Sequence, residues 1–193
     1  MNYTDKQLLN KVKSLPDFKY IPKDYWAIFV RSKSDVPDAF DDYCFLYKGE
    51  EFITRSTCTT NPGAPILTGG WKKYTNKGAA VIKANQWMYG CFKFGLHAGK
   101  MRALRQIKNI WYHRDNDNDN KAEELGKPEL ALYNTNIHSN SYKLFQKIKI
   151  IMGTKIGLWS AGCLVLNQQE PYEKIINLTE KQADFTAVII DEF

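Results

Sequence analysis

Cysteine, histidine and long apolar runs are all scarce in this chain. Its 193 residues include four Cys and three His. Cys44, Cys58, Cys91 and Cys163 are far apart and form no C-x-x-C pair, which argues against a zinc knuckle and against a disulfide-dense secreted scaffold. No stretch approaches the roughly 18 uncharged apolar residues of a membrane span. Met1-Asn2-Tyr3-Thr4-Asp5-Lys6-Gln7 lacks the apolar core of a secretory signal. The expectation is a chain that stays in the cytoplasm until it is exported or released, with virion association as one route. No repeat, low-complexity tract or Pro/Ser-rich linker divides it. The reading is therefore one domain over 1–193, with a helix and lead-in over 1–24 and a β core over 25–193.

What is present suits a folded core. Hydrophobic residues make up 44% and aromatics 13% of the chain, more than a disordered chain carries. The net charge of +6 is unevenly spread: residues 115–124 hold five acids and one Lys, so the remainder carries +10. Residues 99–114 hold five Lys/Arg and no acid. Such a surface suits an anionic partner without choosing among nucleic acid, lipid and cell wall.

Thr4-x-x-Gln7 is a capping-box pattern that opens a short helix with Leu8, Leu9 and Val12 on one face. From Tyr25 the pattern is β. Residues 25–32, 42–49 and 51–58 are aromatic and β-branched, with Lys48-Gly49-Glu50 as a hairpin turn. Further strands are expected at 79–96, 107–114, 129–138, 158–166 and 185–191. Two more helices are expected. In 141–152, Leu144, Phe145, Ile148, Ile151 and Met152 share one face and Gly153 ends the run. In 170–181, Pro171 suits the first helical position. The fold class is mainly β with a few short helices.

The most informative stretch is 157–167, GLWSAGCLVLN. Cys163 follows a small pair and precedes a short apolar run, which presents it at a tight turn entering a buried strand. Gly162 lets backbone N–H groups approach a substrate oxygen without interference from a Cβ. A thiol so placed is a candidate nucleophile if a base stands beside it. His138, 25 residues upstream at the end of a predicted strand, is the candidate base. The plain alternative is a small buried Cys and a loop His.

Ile137-His138-Ser139 followed by Ser160-Ala161-Gly162-Cys163 resembles the active-site signature of the L,D-transpeptidase (YkuD) family. The turn Thr59-Thr60-Asn61-Pro62-Gly63 is loosely similar to that family's Thr-Pro-x-Gly loop. The chain also resembles proteins of gut bacteria and their phages that contain a Trp-Ser-Ala-Gly-Cys segment. The resemblance implies a β-sandwich or β-roll in which Cys163 is the nucleophile and His138 the base. The carbonyl of Ser139 would orient the imidazole, Ser160 would brace the turn, and the N–H groups of Gly162 and Cys163 would form an oxyanion hole. The implied partner is a peptidoglycan stem peptide, with no cofactor and no metal. The family usually has His where this chain has Ala161 and Arg where it has Val165. Loss of that charged anchor favours water over an amine as acceptor, hence hydrolysis over cross-linking.

Three other patterns are read as structural. Asp115-x-Asp117-x-Asp119 has calcium-loop spacing, but Asn120 and Gly126 fail the later positions of that loop, so a polar surface loop is expected. Gly95-Leu-His97-Ala-Gly99 could place His97 in a cleft, although an ordinary strand-to-loop turn is expected. The basic 99–114 run carries no recognition motif and reads as a solvated face, with His113 and Arg114 unpaired. Two other functions compete with the enzyme: a non-catalytic structural or virion-associated protein that keeps the fold, and a basic nucleic-acid binder.

Overall fold

In the computed structural model, which describes residues 3–34 and 36–193, the chain begins with helix α1 (Asp5–Lys13). Thr4 Oγ1 accepts the Gln7 N–H and Gln7 Oε1 accepts the Thr4 N–H, so the capping box forms as the sequence predicts. Of the stretch lacking a secretory-signal core, Met1 and Asn2 lie outside the described residues.

The chain is mainly β. Strands β1 (Tyr25–Arg31), β2 (Asp42–Lys48), β3 (Glu51–Thr59), β4 (Ala79–Ile82), β5 (Gln86–His97), β6 (Met101–Gln106), β7 (Ile110–Asp115), β8 (Glu129–Ala131), β9 (Ile137–Ser139), β10 (Leu164–Leu166) and β11 (Phe185–Asp191) form two sheets. Eight of them close into a barrel in the order β1-β11-β5-β6-β9-β10-β3-β2, and β4-β7-β8 form a separate three-stranded sheet. Among the described residues there are two further α-helices, α2 (Ala64–Leu67) and α3 (Gln169–Thr179), and two 3-10 turns, Gly70–Lys73 and Gly157–Trp159. No helix among the described residues is long and apolar enough to cross a membrane.

Strands β1 and β11 show why the apolar runs lack a polar face. Ala27, Phe29, Ala187 and Ile189 enter the main core, which α3 completes with Tyr172, Ile175 and Ile176. The alternate residues Trp26, Ile28, Val30, Val188 and Ile190 pack instead under Leu8, Leu9 and Val12 of α1. With both faces covered, period-two alternation gives a continuous hydrophobic run.

Several sequence expectations are corrected. Residues 141–152 are a loop, with Phe145 and Lys147 at φ 66° and 56°. Its backbone is satisfied by α3 side chains rather than by its own turns: Glu173 Oε1 accepts the Phe145 N–H at 2.8 Å, Gln169 Oε1 accepts the Ile150 N–H at 3.0 Å, and Gln169 Nε2 donates to the Ile148 carbonyl at 2.7 Å. Ile148 and Ile151 are exposed, so the supposed apolar face is not one. The predicted strand 158–166 is a 3-10 turn at Gly157–Trp159 and a strand only from Leu164. The predicted strand 129–138 is two strands in different sheets, β8 and β9. The predicted strand 79–96 breaks near Asn85, whose φ is 54°. Pro171 sits at the third residue of α3, not the first.

Candidate active site

Parallel pairing of β9 with β10 sets His138 opposite Val165 and Ile137 opposite Leu164. Cys163 immediately precedes β10, so it emerges beside His138. A ring nitrogen from each of His97 and His138 and the Cys163 Sγ all lie within 4.8 Å of one another.

The turn carrying Cys163 is held from three sides. Ser160 Oγ donates to the Cys163 carbonyl at 2.8 Å and accepts the Gly162 N–H at 3.2 Å. Gly63, in the Thr59–Gly63 loop, donates its N–H to the Ser160 carbonyl at 2.9 Å. A Cβ on Gly63 would lie 1.9 Å from the Gly157 carbonyl oxygen, so only glycine lets the two loops meet. Gly162 has φ 126° and lies against the Ala80 backbone of β4. The Gly162 N–H is thus committed to Ser160. That N–H is therefore not free for the oxyanion hole that the resemblance implies.

His138 is fully buried, and its Nδ1 lies 2.8 Å from the Ser139 carbonyl. A carbonyl only accepts, so Nδ1 carries the proton and Nε2 holds a lone pair. Nε2 makes no hydrogen bond among the described residues. Burial, and then the neighbouring His97, push His138 down to about 3; the Ser139 and Trp159 backbone groups offset this only in part. Burial pushes the Cys163 thiol up to about 11, against a smaller downward pull from the Asn136 N–H, which lies 3.4 Å from Sγ. Both shifts favour a neutral thiol and a neutral imidazole over the thiolate that a Cys–His pairing suggests.

The other cysteines are core residues. Burial raises the thiols of Cys44 and Cys58 and pushes Cys91 up to about 11. Cys163 is half-buried and borders a cavity of about 440 Å3 between the barrel and the small sheet. That volume falls within the roughly 300–1,000 Å3 of small-ligand sites.

Protein-family models, curated proteins and solved structures give no significant match to the chain.

The structure thus brings Cys163, His138, Ser139, Ser160 and Gly162 together and adds two residues. His97, expected in an ordinary turn, stacks on His138 with ring centroids 4.0 Å apart. Asn136 donates its N–H to Cys163 Sγ and places Nδ2 2.9 Å from His97 Nδ1, while its Oδ1 accepts the Gln106 N–H. With Oδ1 occupied by a backbone donor, Nδ2 must face His97, whose Nδ1 is then the acceptor. The glycines flanking His97 were a signal for its placement; Asn136 had none. His113 and Arg114 are also paired, contrary to expectation: His113 Nε2 lies 3.3 Å from Glu124, and Arg114 Nε lies 2.5 Å from Glu129. Asp117, Asp119 and Glu123 form an exposed cluster. There Asp117 and Asp119 carboxylates accept N–H groups of their own loop, those of Asp119 and Lys121.

Proposed function

We propose that the chain is a cysteine-dependent enzyme of L,D-transpeptidase type, with that family's β architecture, acting on peptidoglycan stem peptides and favouring hydrolysis. The observation that carries this reading is the His138 imidazole: Nδ1 tied to Ser139, Nε2 buried and unpartnered, and Cys163 Sγ beside it at a cavity wall. A buried acceptor without a donor costs stability, and a base awaiting a thiol proton accounts for that cost.

Because both groups start neutral, attack and proton transfer are coupled. As Sγ bonds to the carbonyl carbon after an L-centre, its proton passes to His138 Nε2. The Cys163 N–H supports the developing oxyanion. The imidazolium then protonates the leaving amine as the C–N bond breaks, which leaves a thioester. Water attacks the thioester with His138 again as base, releasing the acid and restoring the thiol. Val165, where the family usually has Arg, leaves no cation at that point to anchor an acceptor strand, and water needs no such anchor.

Digestion of purified peptidoglycan tests this, with the muropeptides resolved by mass. Shortened stems or lost cross-links, absent with Cys163→Ala, are the expected products. New 3→3 dimers would show transpeptidation, and no change at all would reject the enzyme.

A further inference from the structure

From Leu130 to Gln169 the chain carries no acid, and within 140–160 it carries four lysines, Lys143, Lys147, Lys149 and Lys155, all exposed. None of the four forms an ion pair among the described residues. Large apolar side chains face outward between them. Ile151 is fully exposed, Leu158 is 77% exposed, and Tyr142 and Ile148 are half exposed. The core is not short of apolar groups here. Leu144 belongs to it, and Phe145, Ile150 and Met152 of the same segment pack against it. Ile148 and Ile151 are surplus to the fold.

The backbone of the segment is tied down with these side chains outside. Gln169 holds both the Ile148 carbonyl and the Ile150 N–H. Asn140 Nδ2 donates to the Gly153 carbonyl at 2.8 Å, and the Tyr142 and Trp159 rings lie 5.2 Å apart, so the two ends of the segment meet. Two neighbouring acids are turned to its backbone: Glu173 Oε1 accepts the Phe145 N–H at 2.8 Å and Asp38 Oδ1 the Gly157 N–H at 2.7 Å. Glu170 lies across the groove toward α3. Four lysines against these three carboxylates leave the region cationic.

We propose that this segment docks the protein on an anionic lipid bilayer, with Tyr142, Ile148, Ile151 and Leu158 entering the interfacial layer and the four lysines meeting lipid phosphates. Clustered exposed apolar groups mark protein or membrane contacts, and unpaired lysines among them select a surface of fixed negative charge. A nucleic acid would answer the lysines and leave a fully exposed isoleucine unexplained. A bilayer answers both, since lysine stems lie along the interface while their ammonium groups reach the headgroups. The Tyr142 and Trp159 pair suits the same depth. The segment joins β9 to the Cys163 turn, so docking brings the candidate active site toward the membrane surface. The inference itself does not depend on the cysteine chemistry.

The test is flotation of the protein with vesicles of phosphatidylcholine alone and of phosphatidylcholine with phosphatidylglycerol in equal parts. The anionic vesicles are expected to bind at least about tenfold more tightly than the neutral ones, with a preference that shrinks as salt is raised. Ile148→Ser with Ile151→Ser should weaken binding about tenfold. Lys147→Gln with Lys149→Gln should weaken it about fivefold per charge removed. All four side chains are exposed, so folding is not at stake. Lys93→Gln with Lys121→Gln, equally exposed but outside the segment, should change it little. No binding to anionic vesicles, binding untouched by the isoleucine pair, or equal losses in the two lysine pairs would overturn the proposal. So would binding to a random-sequence DNA duplex that matches vesicle binding and falls with Lys147 and Lys149, which would make the segment a nucleic-acid surface. Cys163→Ala should bind vesicles as the wild type does, so failure of this proposal and failure of the enzyme reading are told apart.

Discussion

The imidazoles of His97 and His138 lie ring on ring, 4.0 Å between centroids and 20° from parallel. Stacked so, they share no in-plane hydrogen bond, and protonating one raises the cost of protonating the other. Burial and Arg105 also lower His97. The consequence is a base that stays neutral well into acid. Since His138 holds off its proton to about 3, turnover should not decline between pH 7 and pH 5. A rate profile in which kcat falls with an apparent pKa near 6.5 would show that His138 is not so depressed.

The same depression has a signed effect on stability. Below about pH 6.5 the unfolded chain protonates this imidazole while the folded one does not until about 3, so stability is lost as pH falls through that window. Asp42 works the other way. Burial pushes it up to about 6, so stability is lost as pH rises from about 4, where the unfolded carboxyl ionises, to 6. The two partly cancel in the wild type, so the difference between proteins is the informative quantity. Urea unfolding at several pH values should show His138→Gln losing less stability than wild type between pH 6.5 and 4. Parallel curves would contradict the assignment.

Cys163 should be the first of the four cysteines alkylated, because it alone borders the cavity, but alkylation at neutral pH should be slow. With the thiol up at about 11, the rate should climb about tenfold per pH unit from 7 to 10, following the thiolate fraction. His138→Ala should change this profile little, since no thiolate is held by His138, while abolishing turnover. Iodoacetamide labelling with peptide mapping measures both, and a rate plateau below pH 8 would reveal a pre-formed ion pair.

Ser160→Ala strips the turn of its brace and leaves the Gly162 N–H and the Cys163 carbonyl without their shared partner. The expected cost is about 1–3 kcal/mol of stability, read from denaturant midpoints, with kcat falling more than KM rises because the nucleophile is misplaced. Gly63→Ala should cost about 1–3 kcal/mol through overpacking, as its Cβ meets the Gly157 carbonyl at 1.9 Å. Wild-type stability in either variant would show that these loops do not set the turn.

Local patterns were legible where one physical cause dominated. The Thr4/Gln7 cap, the Gly49 hairpin and the apolar runs of β1 and β11 all formed as read. The 141–152 segment misled because its apolar periodicity was real while its backbone partners lay on α3, at Glu173 and Gln169, beyond the reach of any local window. The proximity of His138 and Cys163 could be anticipated from adjacent strands. Asn136 could not be, and His97 was signalled only by its flanking glycines, because the placement of both depends on β6 lying between β5 and β9 in the barrel, and β6 itself was hidden in a run read as a charged face. Two cations of that run, Arg102 and Arg114, turn out to be spent on Glu180 and Glu129.

The central claim is that Cys163 forms a covalent acyl intermediate with His138 as its base. Intact-protein mass spectrometry after brief exposure to a stem tetrapeptide, quenched in acid, tests it most directly. The account predicts a mass increase equal to the acyl portion of the peptide, mapped to Cys163 and absent from both Cys163→Ala and His138→Ala. An unmodified wild-type protein from a mixture in which the peptide has nonetheless been cleaved, or an adduct that persists in Cys163→Ala, would contradict it.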